Sequence, residues 1–235
     1  MDKIGLSVFF PCYNEEANVE RTTLAALEVC RSITDDFEII IVDDGSKDRT
    51  GELADQLAEQ HEKVRAIHNR PNRGYGGALQ AGFGAAQKEW VFYTDGDGQF
   101  DFKELPKLLD LLDKYEIVSA YRLNRNDPTI RRINGWGWSM LCNLLLGMKI
   151  RDIDCAFKIF PHRLFDEIEM RSEGALIDAE ILAKATHRGY KIGQVGVYHY
   201  PRTAGQQTGA NLKVIARAFK ELLQLRKQIL AEKKS

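Results

Sequence analysis

Trp90-Val-Phe-Tyr-Thr-Asp-Gly-Asp-Gly-Gln-Phe-Asp101 is an apolar run that stops abruptly in acid and glycine. Trp90 to Tyr93 has the length and apolarity of a buried strand, and Asp95-Gly96-Asp97-Gly98-Gln99 follows at its end. Two carboxylates one residue apart, with glycines between and after them, can converge from one strand end onto a hard divalent cation. The glycines let backbone come close to a bulky ligand such as a diphosphate. Taken alone, the same run also describes a solvated acidic turn. An EF-hand is excluded: counting from Asp95, Phe100 and Pro106 stand where that loop needs Gly and Glu. A phosphatase with an aspartate nucleophile also places Asp-x-Asp at a strand end, so the rest of the chain has to decide.

Upstream, the same pattern recurs. Leu6 to Cys12 is apolar, stopped by Pro11 and followed by Tyr13-Asn14-Glu15-Glu16. Phe37 to Val42 ends in Asp43-Asp44-Gly45-Ser46, and Val64 to His68 precedes an Asn-, Arg- and Gly-rich turn from Asn69 to Gly77. Helices are expected between these runs. One covers Glu15 to Arg31 with Asn14 as its N-cap, one Thr50 to His61, and an Ala/Gly helix reaches Gln87. Alternating strands and helices predict βαβ units and a mostly parallel, doubly wound sheet. Ligands of such sheets sit outside the carboxyl ends of the strands. Tyr13-Asn14-Glu15, Asp43-Asp44-Gly45-Ser46, Asn72-Arg73-Gly74 and Asp95-Gly96-Asp97 all fall there. That convergence favours a binding site over a set of idle turns.

Downstream, Asp101 is placed to cap a helix from Phe102 to Tyr115, with Pro106 tolerated only in its first turn. A strand from Ile117 to Ala120 ends in Tyr121-Arg122, and Leu123 to Thr129 reads as a polar loop. Arg131 to Met148 is apolar and carries Trp136 and Trp138; it is too short and glycine-broken to span a bilayer. It reads as a core helix or as an interfacial, lipid-facing one. Arg151 to Phe160 is expected as a strand carrying Asp152 and Asp154. Partial burial can tune one of them into a general base; the plainer reading is a cap or an ion pair with Lys158 or Arg151. Helices at Pro161 to Ile168 and Ile177 to Arg188 and a strand at Ile192 to Tyr198 follow. The Gly-rich stretch His199 to Gly209 carries Arg202 and suits a loop that closes over phosphates. Asn211 is placed to cap a basic amphipathic helix to Leu230, either docked with a solvated face or in contact with a membrane surface.

The totals narrow the class. The 235 residues are 44% hydrophobic and 29% charged with a net charge of −1, which is ordinary globular composition with enough apolar material for a core and gives no reason to expect nucleic acid. Cys12, Cys30, Cys142 and Cys155 form no Cys-x-x-Cys pair and read as reduced core residues of a cytoplasmic protein. The opening Met-Asp-Lys-Ile-Gly-Leu-Ser has no signal-peptide shape.

Pro11-Cys-Tyr-Asn-Glu15, Val42-Asp-Asp-Gly-Ser46, Asn72-Arg-Gly74, Asp95-Gly-Asp-Gly-Gln99 and Asp152-Ile-Asp-Cys-Ala-Phe-Lys158 occur in that order. With them the chain resembles glycosyltransferase family 2, over roughly Ile4 to Thr208, and within it the dolichyl- and polyprenyl-phosphate mannosyl- and glucosyltransferase branch. The resemblance implies a GT-A nucleotide-diphospho-sugar transferase fold. It implies one catalytic domain over 1–210, with a nucleotide-sugar half at 1–122 and an acceptor half at 123–210, and a C-terminal helix at 211–235. It implies that Pro11, Tyr13, Glu15, Val42, Asp44, Gly74 and Gly96 contact the nucleotide-sugar, with Asp44 on the base. Asp95, Asp97 and Gln99 would hold Mg²⁺ or Mn²⁺, while Arg122 and Arg202 would contact phosphates. Asp154, with Asp152 second, would be the base. The expected donor is a GDP- or UDP-hexose and the expected acceptor a polyprenyl phosphate, at the inner face of the membrane; a hydroxyl acceptor is the alternative. Where the branch usually has Thr-Ser-Gly-Phe, this chain has Asp154-Cys-Ala-Phe, and Thr208 stands where it usually has Lys or Arg. A phosphatase would need its nucleophile on the first strand, which ends here in Pro-Cys-Tyr-Asn-Glu. A dinucleotide oxidoreductase lacks its Gly-x-Gly-x-x-Gly. A catalytically silent sugar-nucleotide sensor remains the different-class alternative.

Overall fold

The computed structural model describes residues 4–124, 129–202 and 212–232. The chain runs β1 (Leu6–Cys12), α1 (Val19–Ile33), β2 (Phe37–Asp43), α2 (Thr50–Gln60), β3 (Val64–His68), α3 (Gly74–Ala85) and β4 (Trp90–Thr94). After a 3-10 turn at Phe102–Glu104 come α4 (Pro106–Leu109), β5 (Ile117–Leu123), α5 (Thr129–Leu146) and β6 (Phe157–Pro161). Then follow α6 (Leu164–Glu167), α7 (Ile177–His187), β7 (Ile192–Tyr198) and α8 (Leu212–Glu232).

The strands form one seven-stranded sheet in the order β3-β2-β1-β4-β6-β5-β7. β1, β2, β3 and β4 are mutually parallel, β5 and β7 pair in parallel, and β6 runs antiparallel to both β4 and β5. β1 and β2 are the most apolar strands because helices cover both faces. Leu6, Val8, Phe9, Phe10 and Ile39 to Val42 are fully buried. α3 lies directly on β1: a Cβ at Gly82 would stand 2.8 Å from Cγ of Phe9, so only glycine admits the helix at this distance.

Several expected elements take another form. Asn14 is not an N-cap; it adopts a positive φ of 56° and ties the first βα turn to the second. Its N–H donates to Ser46 Oγ at 3.0 Å and its side chain accepts from the Lys47 N–H at 2.8 Å, and α1 begins later, after Asn18. The helix expected over Phe102 to Tyr115 is broken into the 3-10 turn, α4 and turns. Pro106 lacks an N–H and so starts a helix rather than continuing one. Asp101 does cap, accepting from the Lys103 N–H at 2.9 Å. Only Leu164–Glu167 of the expected helix at Pro161 to Ile168 is helical, and Pro161 closes β6. β6 begins at Phe157, so Asp152 and Asp154 are not strand residues but lie in the preceding turn. The expected loop residues 125–128, Thr208, the cap Asn211, and Lys233 and Lys234 lie outside the described residues. No described helix is long and apolar enough to cross a membrane.

Candidate active site

Parallel strands bring their loops to one sheet end, and there Pro11, Tyr13, Glu15, Asp44, Asn72, Gly74, Tyr75, Asp95, Gly96, Asp97 and Arg202 line one cavity of about 380 Å³. Each acidic residue is held from a different direction. The Glu15 backbone N–H donates to Thr50 Oγ1 at 2.7 Å, and its carboxylate accepts from Asn18 at 2.7 Å and from Arg202. Asp44 Oδ1 accepts from Asn69 Nδ2 at 2.8 Å and from the Arg73 N–H at 3.0 Å. Its neighbour Asp43 is buried and points elsewhere, bonding His68 Nδ1 and the Ser46 N–H at 3.0 Å each. Of the paired aspartates, the second alone faces the cavity. Gly96 sits where a Cβ would meet Cys12 Sγ at 2.6 Å, which packs the β4 loop tightly onto the end of β1. Val42 is fully buried in β2 and supports Asp43-Asp44 from within the sheet rather than lining the cavity.

Asp95 and Asp97 suit a divalent cation. Burial raises Asp95 well above the ordinary carboxylate value, and the charges of Asp97 and Asp178 add to the effect. Burial also raises Asp97, opposed by the Gln99 backbone N–H and by Arg202, whose Nη1 lies 3.9 Å from Asp97 Oδ2. Two neighbouring anions that both resist ionisation are short of positive charge, and a hard cation supplies it. Among the described residues no cluster of three or more His, Cys, Asp or Glu side chains gathers as a metal cage. Two carboxylates completed by phosphate oxygens and water are the usual surroundings of Mg²⁺. Gln99 lies behind this pair, its Nε2 donating to the Tyr200 carbonyl at 2.8 Å and its backbone N–H to Asp97 at 3.0 Å. It joins the Asp-Gly-Asp turn to the segment that delivers Arg202.

Because β6 is antiparallel, its leading turn arrives at the same sheet end from the other side. Asp152 is not idle there: Arg122 grips it with Nε and Nη2, both at 2.8 Å. The pair lines a second cavity of about 490 Å³ with Tyr121, Arg132, Ile133, Gly135, Trp136, Ser139 and Arg151. Arg122, expected on the donor phosphates, is therefore placed in this basic cavity, and Arg151 stacks on Tyr121 at 4.0 Å. From it, Ile133, Trp136, Met140 and Leu144 form an exposed row along α5, with Trp136 64% and Leu144 79% exposed. Asp154 is distinct. Burial pushes it up to about 6, Asp178 and Asp152 add to the rise, and Arg122 and Lys158 oppose it. Among the described residues nothing donates a hydrogen bond to its carboxylate.

Two parts of the site were not assigned by sequence reasoning: Tyr75, and the true partner of Lys158, which pairs with Asp178 rather than with Asp152 or Asp154. Lys158, fully buried, donates to Asp178 at 2.6 Å, to the Cys155 carbonyl at 2.6 Å and to Tyr93 Oη at 2.9 Å, and Tyr93 also bonds Asp178. This node ties β4 just before Asp95, the turn just after Asp154, and α7. Tyr75, on the first turn of α3, lines the acidic cavity together with Asp95. The only sequence signal was a lysine inside an apolar strand, which demands a buried partner.

The Glycosyl transferase family 2 model matches residues 7–169. A dolichyl-phosphate hexose transferase of Haloferax volcanii is 32% identical over 205 residues, covering 86% of this chain and 85% of the relative. Glycosyltransferase AglD of the same organism is 29% identical over 209 residues, 85% of this chain; the chain spans only about a third, 34%, of that relative's length. Among solved structures, glucosyl-3-phosphoglycerate synthase from Mycobacterium tuberculosis in complex with Mn²⁺, UDP and glucosyl-3-phosphoglycerate matches with a TM-score of 0.72 at 18% identity. The match covers 96% of this chain and 80% of that one. The fold is the GT-A fold that the resemblance implied.

Proposed function

The chain belongs to glycosyl transferase family 2, and on that premise we propose that it transfers a hexose, with inversion and with a divalent metal, from a GDP- or UDP-sugar to a polyprenyl phosphate. The observation that carries this reading is the pair of cavities at one sheet end. One is acidic with a single arginine; the other is basic and opens onto an apolar helix row.

The donor lies in the acidic cavity. Pro11, Tyr13, Glu15 and Gly74 wall the nucleotide, Asp44 offers its second carboxylate oxygen to the base, and Gly96 admits the diphosphate to the backbone. Asp95 and Asp97 hold Mg²⁺ or Mn²⁺, with the Gln99 amide oxygen a third candidate ligand; when bound, the ion stabilises negative charge on the leaving diphosphate. Arg202, already beside Asp97, answers the same charge by direct contact. The acceptor phosphate sits among Arg122, Arg132 and Arg151, and the isoprenoid follows Ile133 and Trp136 onto α5. A phosphate oxygen attacks the anomeric carbon from the face opposite the diphosphate, and the carbon–oxygen bond to the diphosphate breaks. No proton needs to move, because the acceptor is already ionised. Residues 1–122 thus supply most of the donor site and 123–210 most of the acceptor site, with Arg122 and Arg202 each serving the other half, and α8 is a C-terminal addition packed on α5 and α7. The name of the Haloferax dolichyl-phosphate hexose transferase supports the acceptor class.

A hydroxyl acceptor is the second reading, favoured by Asp154. A half-buried carboxylate pushed up to about 6, without a hydrogen-bond donor among the described residues, is suited to take a proton. One experiment separates the two: purified protein, GDP- and UDP-hexoses, and polyprenyl phosphate in detergent or sugar acceptors in buffer, with Mn²⁺ or EDTA. Metal-dependent label in the organic phase is expected. Label only in water-soluble product favours the second reading, and full turnover in EDTA overturns the metal.

A further inference from the structure

The turn between α6 and α7 is held by an ion pair that touches no cavity-lining donor residue. Glu180 and Lys184, 1% and 3% exposed, meet at 2.7 Å. Buried pairs of this kind are often no better for stability than apolar side chains of the same size, so their position asks for another account. Glu180 accepts the backbone N–H of Arg171 with both oxygens at 3.1 Å and that of Ser172 at 2.7 Å. Lys184 donates to the Glu169 carbonyl at 2.5 Å. α7 thereby grips three backbone groups of one turn.

The other side of that turn presses on the start of α3. The Glu173 carbonyl accepts the Gly76 N–H at 2.9 Å, and the Ser172 carbonyl accepts from Gln80 at 3.0 Å. A Cβ at Gly76 would stand 2.6 Å from the Glu173 carbonyl carbon, and one at Gly74 would stand 3.0 Å from the Glu173 oxygen. Gly74, Tyr75 and Ala78 wall the acidic cavity together with Asp95. We propose that Glu180 and Lys184 are positioning residues for the donor: through the 171–173 turn they fix the first turn of α3, and with it the wall of Gly74, Tyr75 and Ala78 that faces Asp95 across the acidic cavity. The inference rests on the donor reading of that cavity for its kinetic consequence but not for its structural one.

Two variants approach the turn from opposite sides. Glu180→Gln with Lys184→Met removes both charges at similar volume, and Gly76→Ala pushes the turn from α3. Both are expected to speed hydrogen exchange at residues 74–78 and to raise the donor KM roughly tenfold, as a small misplacement does, with the acceptor KM unchanged. Wild-type exchange at 74–78 together with an unchanged donor KM in both variants would overturn the proposal, even if thermal stability falls. Should the double variant fail to fold, Gly76→Ala decides alone. Should the wild type use no sugar nucleotide, the donor reading falls and exchange at 74–78 still decides the clamp.

Discussion

Asp97 and Asp154 are both half-buried carboxylates raised by desolvation, yet they lie in different surroundings. Asp97 lies beside Asp95 and Arg202 in the acidic cavity. Asp97→Ala is expected to lower kcat by about 10²- to 10³-fold and to abolish the response to Mn²⁺, measured by metal titration of turnover. Asp154 is pushed up to about 6 from an ordinary 3.8, so between those values the folded chain holds a proton that the unfolded chain has lost. Stability attributable to Asp154 therefore falls as pH rises through that window and stays lost above it. Asp154→Asn should melt above wild type at pH values well over 6, and the gap should close as pH drops toward 4. A melting series across pH checks this, and an unchanged gap would show that Asp154 titrates normally. Glu15, Asp44, Asp95, Asp97 and Arg202 could be found from the sequence because each sits in a local strand-end motif. Asp178 and Glu180 could not be assigned their partners. Tyr93 bonds Asp178 across 85 positions, and nothing local in a helix announces such a contact.

At the level of elements, periodicity located the parallel strands well because burial on both faces makes them uniformly apolar. It misjudged β6, where the apolar run and two aspartates looked like one strand from Arg151 to Phe160. The acids belong to the turn, and the strand proper is Phe157–Pro161. α3 offers a direct check on packing. Gly82→Ala should destabilise the fold by about 1–3 kcal/mol through overpacking against Phe9, read from denaturant midpoints, with the larger loss in unfolding free energy rather than in donor KM. α5 offers a check on function. Replacing exposed Trp136 and Leu144 with serine should change stability by no more than about 0.5 kcal/mol. The same double variant should slow transfer to a long-chain polyprenyl phosphate while sparing a short, water-soluble analogue. Equal loss on both acceptors would remove lipid contact from the role of α5.

Seen as a whole, the molecule is a continuous sheet whose two cavities share one end, so ligands on that end should brace the entire fold. A nucleoside diphosphate with Mn²⁺ at about 100 times its Kd should add about 2.7 kcal/mol of stability, seen as a rise in Tm that EDTA removes. A Tm indifferent to both would argue against the donor cavity. The sheet order was out of reach of sequence reading, since strand polarity is set by long-range pairing. The parallel βαβ start was legible and the reversed β6 was not. That reversal has a consequence for how such proteins can diversify. The loops lining the acidic cavity include carboxyl-terminal extensions of β1, β2 and β4, whereas the 151–156 turn leads into the amino end of β6. On the proposed function, the two halves of the reaction are written on chain segments of opposite polarity, joined by the β4–β6 ladder and the Lys158–Asp178–Tyr93 node. Drift or deliberate grafting in the 151–156 turn can re-specify what receives the sugar while leaving the reading of the nucleotide intact.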